Sequence, residues 1–527
     1  MVLSHARLPV PPPRHFLSKK AYHLFLFCGI FSIVFLFLFR QMSVVVRFPP
    51  SPTGLLHIGT VRTCLYNYLF AKQHGGKILF RFEDTDRERS TKEYEENILS
   101  GLQKMGITWD EGPFYQTERT EFYRTYLEQM IHDGKAYHCF CTSEELTAER
   151  EEQEKKKLPP RYSGKCALLS SEESEHRRAQ GESSVIRFRV PLERGDVVFP
   201  DLVRGEVSIH VRELSDFVIA KNLDTALYNF AVVVDDHDME VTHVIRGEDH
   251  ISNTPKQILL FEALGWKIPQ FAHLPLILNA DRSKLSKRKN KVSVDDYLAE
   301  GFLPEALLNY LALLGWNTAD EKEIFSVEEL IAAFSLDRVQ KGGAVFDIDR
   351  LTWMNGIYIR QKSISELRAL AEPFLTDPLF EEGRHTFGEE FLQKSLSLIQ
   401  ERLKTLGEIP QLLQFFFIPE EAFSVHSEQF PHQKMKVDES SAKKVLEEFL
   451  PVLEEISEEQ WNHDALSIFL LSEIQKRDYK NGQVLWPLRV ALTGEAFSPG
   501  AFEVLDALGK NRSIARIRMA ISSLSAS

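Results

Sequence analysis

Apolar and polar positions alternate along most of the chain in a way that predicts strands and helices in turn. Residues 44–48 and 78–82 are near-continuous apolar runs, which is typical of parallel strands covered on both faces. Between them, residues 61–74 form an amphipathic segment that Gly75 and Gly76 bring to an end. The order strand, helix, strand predicts a right-handed, doubly wound α/β sheet.

The next predicted helix has a clear start and a clear end. Ser90 and Glu93 have the spacing of a capping box, and the apolar positions behind them recur every four residues as far as Gly106. Residues 107–109 are then predicted to begin another strand.

The regular alternation breaks over residues 122–223. This stretch contains a highly charged helix at residues 144–157, a Pro-Pro break and a β-rich segment at residues 185–190. We predict that it is a domain inserted between two halves of the α/β sheet.

The α/β pattern then resumes. Thr254 and Pro255 start a helix that Gly265 ends, and from residue 295 onward the chain is almost wholly helical. Three further apolar runs are predicted as strands: residues 228–234, 242–245 and 274–278.

Composition narrows the class of protein without identifying it. The 527 residues imply about three to five domains. A content of 43% hydrophobic and 26% charged residues is typical of a soluble globular protein. The net charge of −13 does not argue for nucleic-acid binding, although locally clustered basic residues can still hold a polyanion. Five cysteines in a chain of this size are no disulfide framework, so a reducing compartment is expected.

Residues 1–41 differ from the rest of the chain. Residues 21–39 are uncharged, and nineteen residues at about 1.5 Å each nearly cross a bilayer core of about 30 Å. Only residues 40–43 separate this run from the first predicted strand. We interpret residues 1–41 as an upstream, non-native start before the initiator Met42, which makes the protein cytoplasmic. The alternative is a membrane anchor, and membrane contact is expected only in that case.

A phosphate-binding turn is predicted directly after the first strand. Residues 49–60 lie between a strand and a helix N-terminus, where free backbone N–H groups and the helix dipole favour phosphate. Gly59 allows a ligand to approach the backbone closely, and His57 can donate to a phosphate oxygen. The alternative is a proline-rich turn with an incidental histidine.

A basic loop follows the last predicted strand of the α/β unit. It spans residues 281–291 and includes Lys284 and Lys287, and five of the eight residues 284–291 are basic. Such a loop suits a triphosphate or a nucleic-acid backbone, with a solvated charge run as the alternative. Because both motifs follow strands in the two halves of one sheet, where such folds bind nucleotides, we favour a nucleotide site.

The residues of these two motifs resemble a known family. His57-Ile58-Gly59-Thr60 resembles the HIGH signature of class I aminoacyl-tRNA synthetases, and Lys-Leu-Ser-Lys-Arg at residues 284–288 resembles their KMSKS loop. From residue 43 to the C-terminus, the chain is similar to bacterial-type glutamyl-tRNA synthetases in particular. The stretches that carry this narrower resemblance are residues 51–54, 81–86, 233–237, 244–250, 302–307, 353–356 and 485–494.

The resemblance implies a fold, a reaction and a domain plan. The implied fold is an α/β, class I Rossmann-type sheet with an inserted α+β domain and an all-helical C-terminal region. The implied reaction is the ATP- and Mg²⁺-dependent attachment of L-glutamate to tRNA(Glu) through a glutamyl-adenylate, with release of AMP and pyrophosphate. The implied domains are a catalytic domain at residues 42–121 and 224–290, an acceptor-stem-binding insertion at residues 122–223, a helical stem-contact domain at residues 291–360 and an anticodon-binding domain at residues 361–527.

Glutamate carries two carboxylates, which planar cationic forks bind well. By resemblance, Arg47 and Arg246 share these carboxylates, with Tyr228 beside them. The resemblance also implies that Glu83 meets the α-amino group and that Ser51 lies nearby.

Further roles follow from the same resemblance. His57 and Lys287 are expected to stabilise the charge of the transition state, and Lys284 to assist them. Asp86 is expected near the terminal adenosine of the tRNA. Val232 departs from the family, since some members carry there a polar residue that touches the substrate. The implied ATP-binding residues are His57, Gly59, Asp249, Leu276 and Lys287.

A candidate metal site lies in the inserted region. Cys139 and Cys141 are two residues apart and Cys166 follows later, which suits a tetrahedral zinc site that needs one more ligand. By resemblance the fourth ligand is Tyr162, whereas Leu168 stands where some relatives carry a histidine. A structural zinc ion and three buried or incidental thiols both stay open.

The resemblance implies a monomer and leaves the choice of tRNA open. An enzyme specific for tRNA(Glu) and one that also charges tRNA(Gln) differ in a few anticodon contacts that one sequence does not place. Two other classes fit less well. A membrane-tethered tRNA-binding protein would not need intact motifs, and a small-molecule nucleotidyltransferase would need neither the insertion nor the helical tail.

Overall fold

The structure, a computed structural model, describes residues 43–285 and 291–526. The predicted extension at residues 1–41, Met42 and Lys287 lie outside these ranges. Within the ranges, every helix is too short or too polar to cross a bilayer.

The strands and helices of the described residues follow in chain order. The strands are β1 Val45–Phe48, β2 Lys77–Phe82, β3 Glu111–Tyr115, β4 Ala136–Cys139, β5 Val185–Phe188, β6 Asp196–Asp201, β7 Gly205–His210, β8 Val218–Asn222, β9 Thr225–Ala226, β10 His243–Gly247, β11 Gln270–Leu274, β12 Ile277–Leu278 and β13 Ala344–Val345. The helices are α1 Ile58–Gln73, α2 Lys92–Lys104, α3 Thr120–His132, α4 Ser143–Lys155, α5 Ser171–Ala179, α6 Tyr228–Asp238, α7 Thr254–Leu264, α8 Val294–Ala299, α9 Pro304–Leu313, α10 Val327–Ala333, α11 Ile348–Arg360, α12 Ile364–Ala371, α13 Pro378–Phe387, α14 Glu389–Ile399, α15 Ile409–Phe417, α16 Glu439–Glu455, α17 His463–Lys476, α18 Asn481–Thr493, α19 Ala501–Leu508 and α20 Lys510–Ala526.

A parallel sheet forms the centre of the N-terminal half. Strands β1, β2 and β3 pair in that order, and β10 pairs with β11. The two groups meet at a seam, where the N–H of Thr242 donates to the carbonyl of Val45 across 2.9 Å. The N–H of Val45 in turn donates to Oγ1 of Thr242 across 2.8 Å. The order β3-β2-β1-β10-β11 confirms the predicted doubly wound α/β sheet.

Residues from the stretch predicted as an insertion form two different structures. Strands β4, β5, β8 and β9 form a separate antiparallel sheet. The hairpin of β6 and β7 instead extends the parallel sheet, because β6 lies beside β11. The hairpin therefore reaches the edge of the sheet from which the site is built.

The strand predicted at residues 228–234 is wrong, because this segment is helix α6. Residues 230–236 of this helix are all buried. A segment buried on every side has no polar face to reveal its period, so its sequence looks the same as that of a buried strand. Tyr228 consequently stands at a helix start rather than on a strand.

Two other strand predictions are wrong in their bounds. Residues 107–109 precede β3, since the N–H of Ile107 bonds back to the carbonyl of Leu102 across 2.9 Å at the helix end. The strand predicted at residues 274–278 is divided into β11 and β12. Pro275 lies between the two, and proline has no N–H to donate to a ladder.

The predicted helix bounds need one correction. Thr91, not Ser90, caps α2, because its side chain accepts from the N–H of Tyr94 across 3.3 Å. Helix α7 is confirmed between Thr254 and Gly265, and Gly265 adopts the left-handed φ of 71° that such a C-cap requires.

The predicted helical C-terminal half is confirmed, since α8 to α20 follow one another with only the short β13 among them. Asn355 on α11 links its first helices to the later ones. Its Oδ1 accepts from the N–H of Leu303 across 2.7 Å, and its Nδ2 donates to the carbonyl of Lys404 across 2.6 Å. This side chain is fully buried.

Candidate active site

The turn after β1 leads into the N-terminus of α1 at His57. Its ring Nδ1 accepts from the N–H of Gly59 across 2.9 Å, so His57 is the N-cap of the helix. A neutral imidazole that accepts at Nδ1 carries its proton on Nε2. The local sequence therefore provides a helix N-terminus with a fixed histidine tautomer beside it.

The two predicted motifs are connected through the backbone. The N–H of Ile58 donates to the carbonyl of Val292 across 2.9 Å, and the N–H of Val294 donates to the carbonyl of Leu56 across 3.1 Å. On the other side of the basic loop, the N–H of Leu285 donates to the carbonyl of Ile277 across 3.0 Å. The segment after the basic loop is therefore fixed to the histidine turn, and the first half of the loop is fixed to β12.

A cavity of about 440 Å³ lies at the carboxyl ends of β1, β2, β10 and β11. Several of its lining residues directly follow these strand ends, where doubly wound sheets bind their ligands, and others come from α1, the start of α6 and the basic loop. It brings together these predicted site residues: Ser51, His57, Gly59, Glu83, Tyr228, Arg246, Asp249, Leu276 and Lys284.

Arg246 is buried at the end of β10, with its guanidinium held by uncharged groups. Nη2 donates to Thr254 and Gln257 across 2.8 and 2.7 Å, and Nη1 lies 3.4 Å from the hydroxyl of Tyr228. Nε donates to His273 across 3.2 Å. Within the part of the chain that the structure describes, these hydrogen bonds include none to a carboxylate. Only 4% of Arg246 is exposed, and this burial lowers the pKa of its guanidinium.

Arg47 belongs to a buried charge cluster rather than to the lining of the cavity. Its Nε lies 3.2 Å from Asp236, and Asp236 also lies 2.9 Å from Nη2 of Arg81. Nη1 of Arg47 is buried without a hydrogen-bond partner among the described residues. Although burial alone would raise the pKa of Asp236, the two arginines hold it below its usual value. Asp236 therefore stays ionised between them.

Glu83 follows the end of β2 and lies 3.5 Å from Arg81. Burial raises the pKa of its carboxyl, despite the nearby arginines. Tyr228 and His250 also line the cavity and pair with each other, with the Tyr228 hydroxyl 3.0 Å from Nδ1 of His250. Burial raises the pKa of Tyr228 to about 12, and burial together with Arg246 lowers that of His250 to about 4. Both groups are therefore neutral at neutral pH.

The other wall carries Asp249, Leu276 and Lys284. Nζ of Lys284 lies 3.3 Å from Asp249 at the rim. The N–H of Leu276 donates to Oε1 of Glu248 across 2.8 Å. The second lysine predicted for this loop, Lys287, lies outside the described residues.

Asp86 lines a second cavity of about 720 Å³ rather than the first. Its Oδ2 accepts from Nε of Arg89 across 2.7 Å, and this hydrogen bond holds the pKa of Asp86 below its usual value. Lys221 and Gln116 also line this cavity, and Tyr228 lines both cavities. Tyr228 therefore stands at the boundary between the two.

The three predicted thiols are clustered. The Sγ atoms of Cys139, Cys141 and Cys166 all lie within 4.8 Å of one another. The hydroxyl of Tyr162 lies 3.3 Å from Sγ of Cys139 and 3.5 Å from Sγ of Cys141. Zn–S bonds of about 2.3 Å in a tetrahedron place sulfurs about 3.8 Å apart, so this donor set fits a zinc ion. Leu168 is 88% exposed and is no part of the cluster.

The residues of the site that were not predicted from the sequence include Arg62, Asp236 and His250. Arg62 donates to the carbonyls of Leu314 and Pro275, which connects α1 to the wall of the cavity. An arginine on the apolar side of the predicted helix was the available signal. Asp236 and His250 both stand inside stretches that carried the family resemblance.

The fold and the cavity define a class I aminoacyl-tRNA synthetase. Residues 43–353 match the family described as "tRNA synthetases class I (E and Q), catalytic domain". Residues 366–521, within the helical half, match "Anticodon binding domain".

The chain belongs to the glutamate–tRNA ligase family. It is 44% identical over 485 residues to glutamate–tRNA ligase 2 of Thermoanaerobacter pseudethanolicus, which covers 91% of this chain and 98% of the relative. It is 42% identical over 495 residues to glutamate–tRNA ligase of Desulforamulus reducens, and the match covers 91% of this chain and 100% of the relative. A solved glutamate tRNA ligase from Elizabethkingia meningosepticum, in complex with its amino acid, is 33% identical with a TM-score of 0.81 and covers 92% and 100%.

Proposed function

We propose that the protein attaches L-glutamate to tRNA(Glu) in two steps. Glutamate and ATP form glutamyl-adenylate and pyrophosphate, and transfer of glutamate to the tRNA then releases AMP. The observation that carries this proposal is Arg246, a buried cation whose hydrogen bonds go to uncharged groups of the described chain. An anionic ligand would stabilise such a buried cation. The turn at His57, which is suited to bind phosphate, lines the same cavity.

The substrate carboxylates are assigned to the two arginines. Arg246 lines the cavity directly. The buried Nη1 of Arg47 has no hydrogen-bond partner among the described residues, so it can donate to a substrate carboxylate. Glu83 supplies the negative charge for the α-amino group. The hydroxyls of Ser51 and Tyr228 line the same space.

The ATP phosphates are assigned to the N-terminus of α1, with His57 donating from Nε2 and Gly59 leaving room for their approach. Leu276 and Asp249 contribute the opposite wall. An oxygen of the α-carboxylate attacks the α-phosphorus in line, and the bond to pyrophosphate breaks. Mg²⁺, carried on the phosphates, supplies neutralisation of their charge.

The cations of the basic loop are assigned to the leaving pyrophosphate. Lys284 stands at the rim of the cavity, where its pairing with Asp249 holds it beside the ligand space. Lys287 is assigned to the same charge through the family resemblance of the loop. Both stabilise negative charge that moves onto the leaving group.

The second cavity is assigned to the 3′ end of the tRNA. Asp86 lines it, and Tyr228 separates it from the first cavity. The 2′-hydroxyl of the terminal ribose attacks the carbonyl carbon of the adenylate, and AMP leaves. Residues 122–223 are assigned to the acceptor stem, residues 291–360 to further stem contacts, and residues 361–527 to the anticodon.

A structural zinc ion is assigned to Cys139, Cys141, Cys166 and Tyr162. The support is the clustering of their donor atoms and the fit of the sulfur spacing to a tetrahedron. Zinc bound there fixes the segment that carries Tyr162 and Cys166 to the end of β4. Its part is structural, because the cluster lines neither of the two cavities.

Charging of purified tRNA tests the reaction and the choice of tRNA. Full-length protein and protein that starts at Met42 are each incubated with ATP, Mg²⁺, labelled glutamate and either tRNA(Glu) or tRNA(Gln). We expect a monomer that charges tRNA(Glu), and charging of tRNA(Gln) as well identifies a non-discriminating enzyme. Failure of both proteins to charge either tRNA contradicts the proposed function.

A further inference from the structure

The turn between β6 and β7 carries two charged side chains, Asp201 and Arg204, that contact residues behind the lining of the active-site cavity. Asp201 ends β6 and is buried, and Arg204 follows three residues later with 19% of its side chain exposed. Both come from a hairpin at the edge of the parallel sheet. Neither lines the cavity itself.

Asp201 is surrounded by donors. Its Oδ1 accepts from the N–H groups of Val203 and Arg204 across 3.0 and 2.8 Å. Its Oδ2 accepts from Nδ1 of His273 across 2.6 Å and from the N–H of the same residue across 3.1 Å. The carboxylate therefore fixes the ring of a histidine on the neighbouring strand β11.

His273 transmits this constraint to Arg246. The ring is fully buried, and a neutral imidazole that donates from Nδ1 accepts at Nε2. Nε2 lies 3.2 Å from Nε of Arg246 and 2.9 Å from Oγ1 of Thr254. Only this tautomer can accept a hydrogen bond from the guanidinium. By fixing the tautomer of His273, Asp201 therefore fixes the acceptor that orients Arg246.

Arg204 acts through Glu248 on Leu276, a residue that lines the cavity. Its Nη2 donates to Oε2 of Glu248, and Oε1 of Glu248 accepts from the N–H of Leu276 across 2.8 Å. Its Nη1 donates to the carbonyl of Lys341 across 2.6 Å. Its Nε donates to the backbone carbonyl of His273 across 3.3 Å, a contact that does not involve the ring nitrogens and so leaves the tautomer to Asp201. The guanidinium therefore fixes the carboxylate that holds the backbone of a cavity-lining residue.

We propose that this turn is a positioning element for both substrates. Asp201, through His273, orients Arg246 for the glutamate carboxylate, and Arg204, through Glu248, sets the backbone of Leu276 on the ATP side. The proposal rests on the proposed function, since it assumes that the two walls bind these two substrates. It predicts that the two charges of one turn control two different Michaelis constants.

Asp201→Asn tests the glutamate side. The amide oxygen takes the place that faces the two N–H groups of the turn, so the NH₂ faces Nδ1–H of His273. Two facing donors drive the imidazole to the other tautomer, whose Nε2–H then points at the N–H of Arg246. In charging assays with saturating tRNA(Glu), we expect the KM for glutamate to rise about tenfold, as for a lost hydrogen bond to a charged group. The KM for ATP should stay within about twofold.

A second substitution separates tautomer control from general damage. His273→Gln places an amide oxygen near the position of Nε2, where it can accept from Arg246 whatever residue stands at 201. Asp201→Asn should therefore raise the KM for glutamate in the natural background and add nothing in the His273→Gln background. An equal factor in both backgrounds overturns the role assigned to the tautomer.

Arg204→Gln tests the ATP side. Without the guanidinium, Glu248 loses its partner and Leu276 loses a fixed acceptor. The KM for ATP should rise about fivefold, with the KM for glutamate within about twofold. Equal changes in the two constants, or none, contradict the proposal.

A matched control lies at the other end of the same hairpin. Arg194 pairs with Glu262 across 3.0 Å on the surface, so Arg194→Gln should leave both Michaelis constants unchanged. Partial misfolding of a variant lowers kcat by reducing the active fraction, but it does not move either KM. Absence of charging by the unmodified protein would refute the proposed function. Normal charging by the unmodified protein, with variants that change both KM values equally or not at all, refutes only the role of the turn.

Discussion

The backbone N–H of Ile58 donates to the carbonyl of Val292 across 2.9 Å, which joins the histidine turn to the segment that follows the basic loop. The two residues are far apart in sequence, yet each stands beside a motif that handles phosphate in the proposed reaction. A displacement of either motif therefore acts on the other. Substitutions in the two motifs should therefore have strongly non-additive effects on kcat, since groups in contact rarely contribute independently.

Replacement of His57 should separate its structural part from its chemical part. His57→Asn keeps a side-chain acceptor for the N–H of Gly59 but removes the Nε2 donor. We expect kcat to fall about a hundredfold with an unchanged melting temperature, as when one charge-stabilising donor is lost. His57→Ala should lose activity to the same degree and also about 1 kcal/mol of stability, because the helix loses its cap. Full activity of His57→Asn would contradict the assigned role.

Arg246→Lys should weaken glutamate binding although the charge is kept. Lysine cannot supply the planar fork, and the polar groups that hold the guanidinium lose their donors. We expect kcat/KM for glutamate to fall about a hundredfold or more, with the KM for ATP little changed. Arg178→Gln, which removes an exposed arginine paired with Glu175, is the control and at saturating tRNA should leave the KM for glutamate and the KM for ATP unchanged. Equal loss for both substrates would argue for general distortion of the site.

The acid side of the pH profile should report Glu83. Burial raises the pKa of this carboxyl, so it becomes neutral at a higher pH than an ordinary glutamate with its value of 4.5. Its charge is present above the raised pKa and is lost as the pH falls through it, so kcat/KM for glutamate should fall on the acid side above pH 4.5. Glu83→Gln should be weakly active and should lack this decrease. A variant with the same acid limb as the natural protein rules out Glu83 as its source.

Zinc content should depend on the clustered thiols and not on Cys64. Metal analysis of the purified protein is expected to find zinc that Cys166→Ser loses and Cys64→Ser retains. Removal of zinc by a chelator should lower the melting temperature and make the clustered thiols reactive toward a maleimide. Burial raises the pKa of Cys64 to about 12, so its thiol should stay unreactive throughout. A zinc-free protein of unchanged stability would favour three simple buried thiols.

Much of the fold follows from the periodicity of apolar residues and from the residues that start and stop helices. The strand at residues 78–82 and the helix that Gly265 ends are confirmed, because an apolar run or a helix stop marks each of them locally. Residues 228–234 show the limit, since helix α6 is buried all round and has no visible period. The apolar run itself is also short enough for a strand, because the helix continues beyond it through charged residues as far as Asp238.

The candidate site was predictable where its residues stand in motifs. His57, Glu83 and Arg246 meet in one cavity because all three stand at the carboxyl-end edge of the parallel sheet, Arg246 at the end of β10, Glu83 just after β2 and His57 at the start of α1. The residues that position these side chains were not predictable, since the hydrogen bond between Asp201 and His273 joins residues 72 positions apart. Strand pairing across the sheet produces that contact, and no local spacing encodes it.

The seam between Val45 and Thr242 joins residues 197 positions apart at the very centre of the parallel sheet. During synthesis on the ribosome, β1 leaves the exit tunnel long before its partner β10 has been translated. The inserted antiparallel sheet, whose strands all lie between residues 136 and 226, can form within that interval. One edge of β1 therefore stays open until the second half of the sheet arrives, which makes this edge a site where the nascent chain is exposed to aggregation.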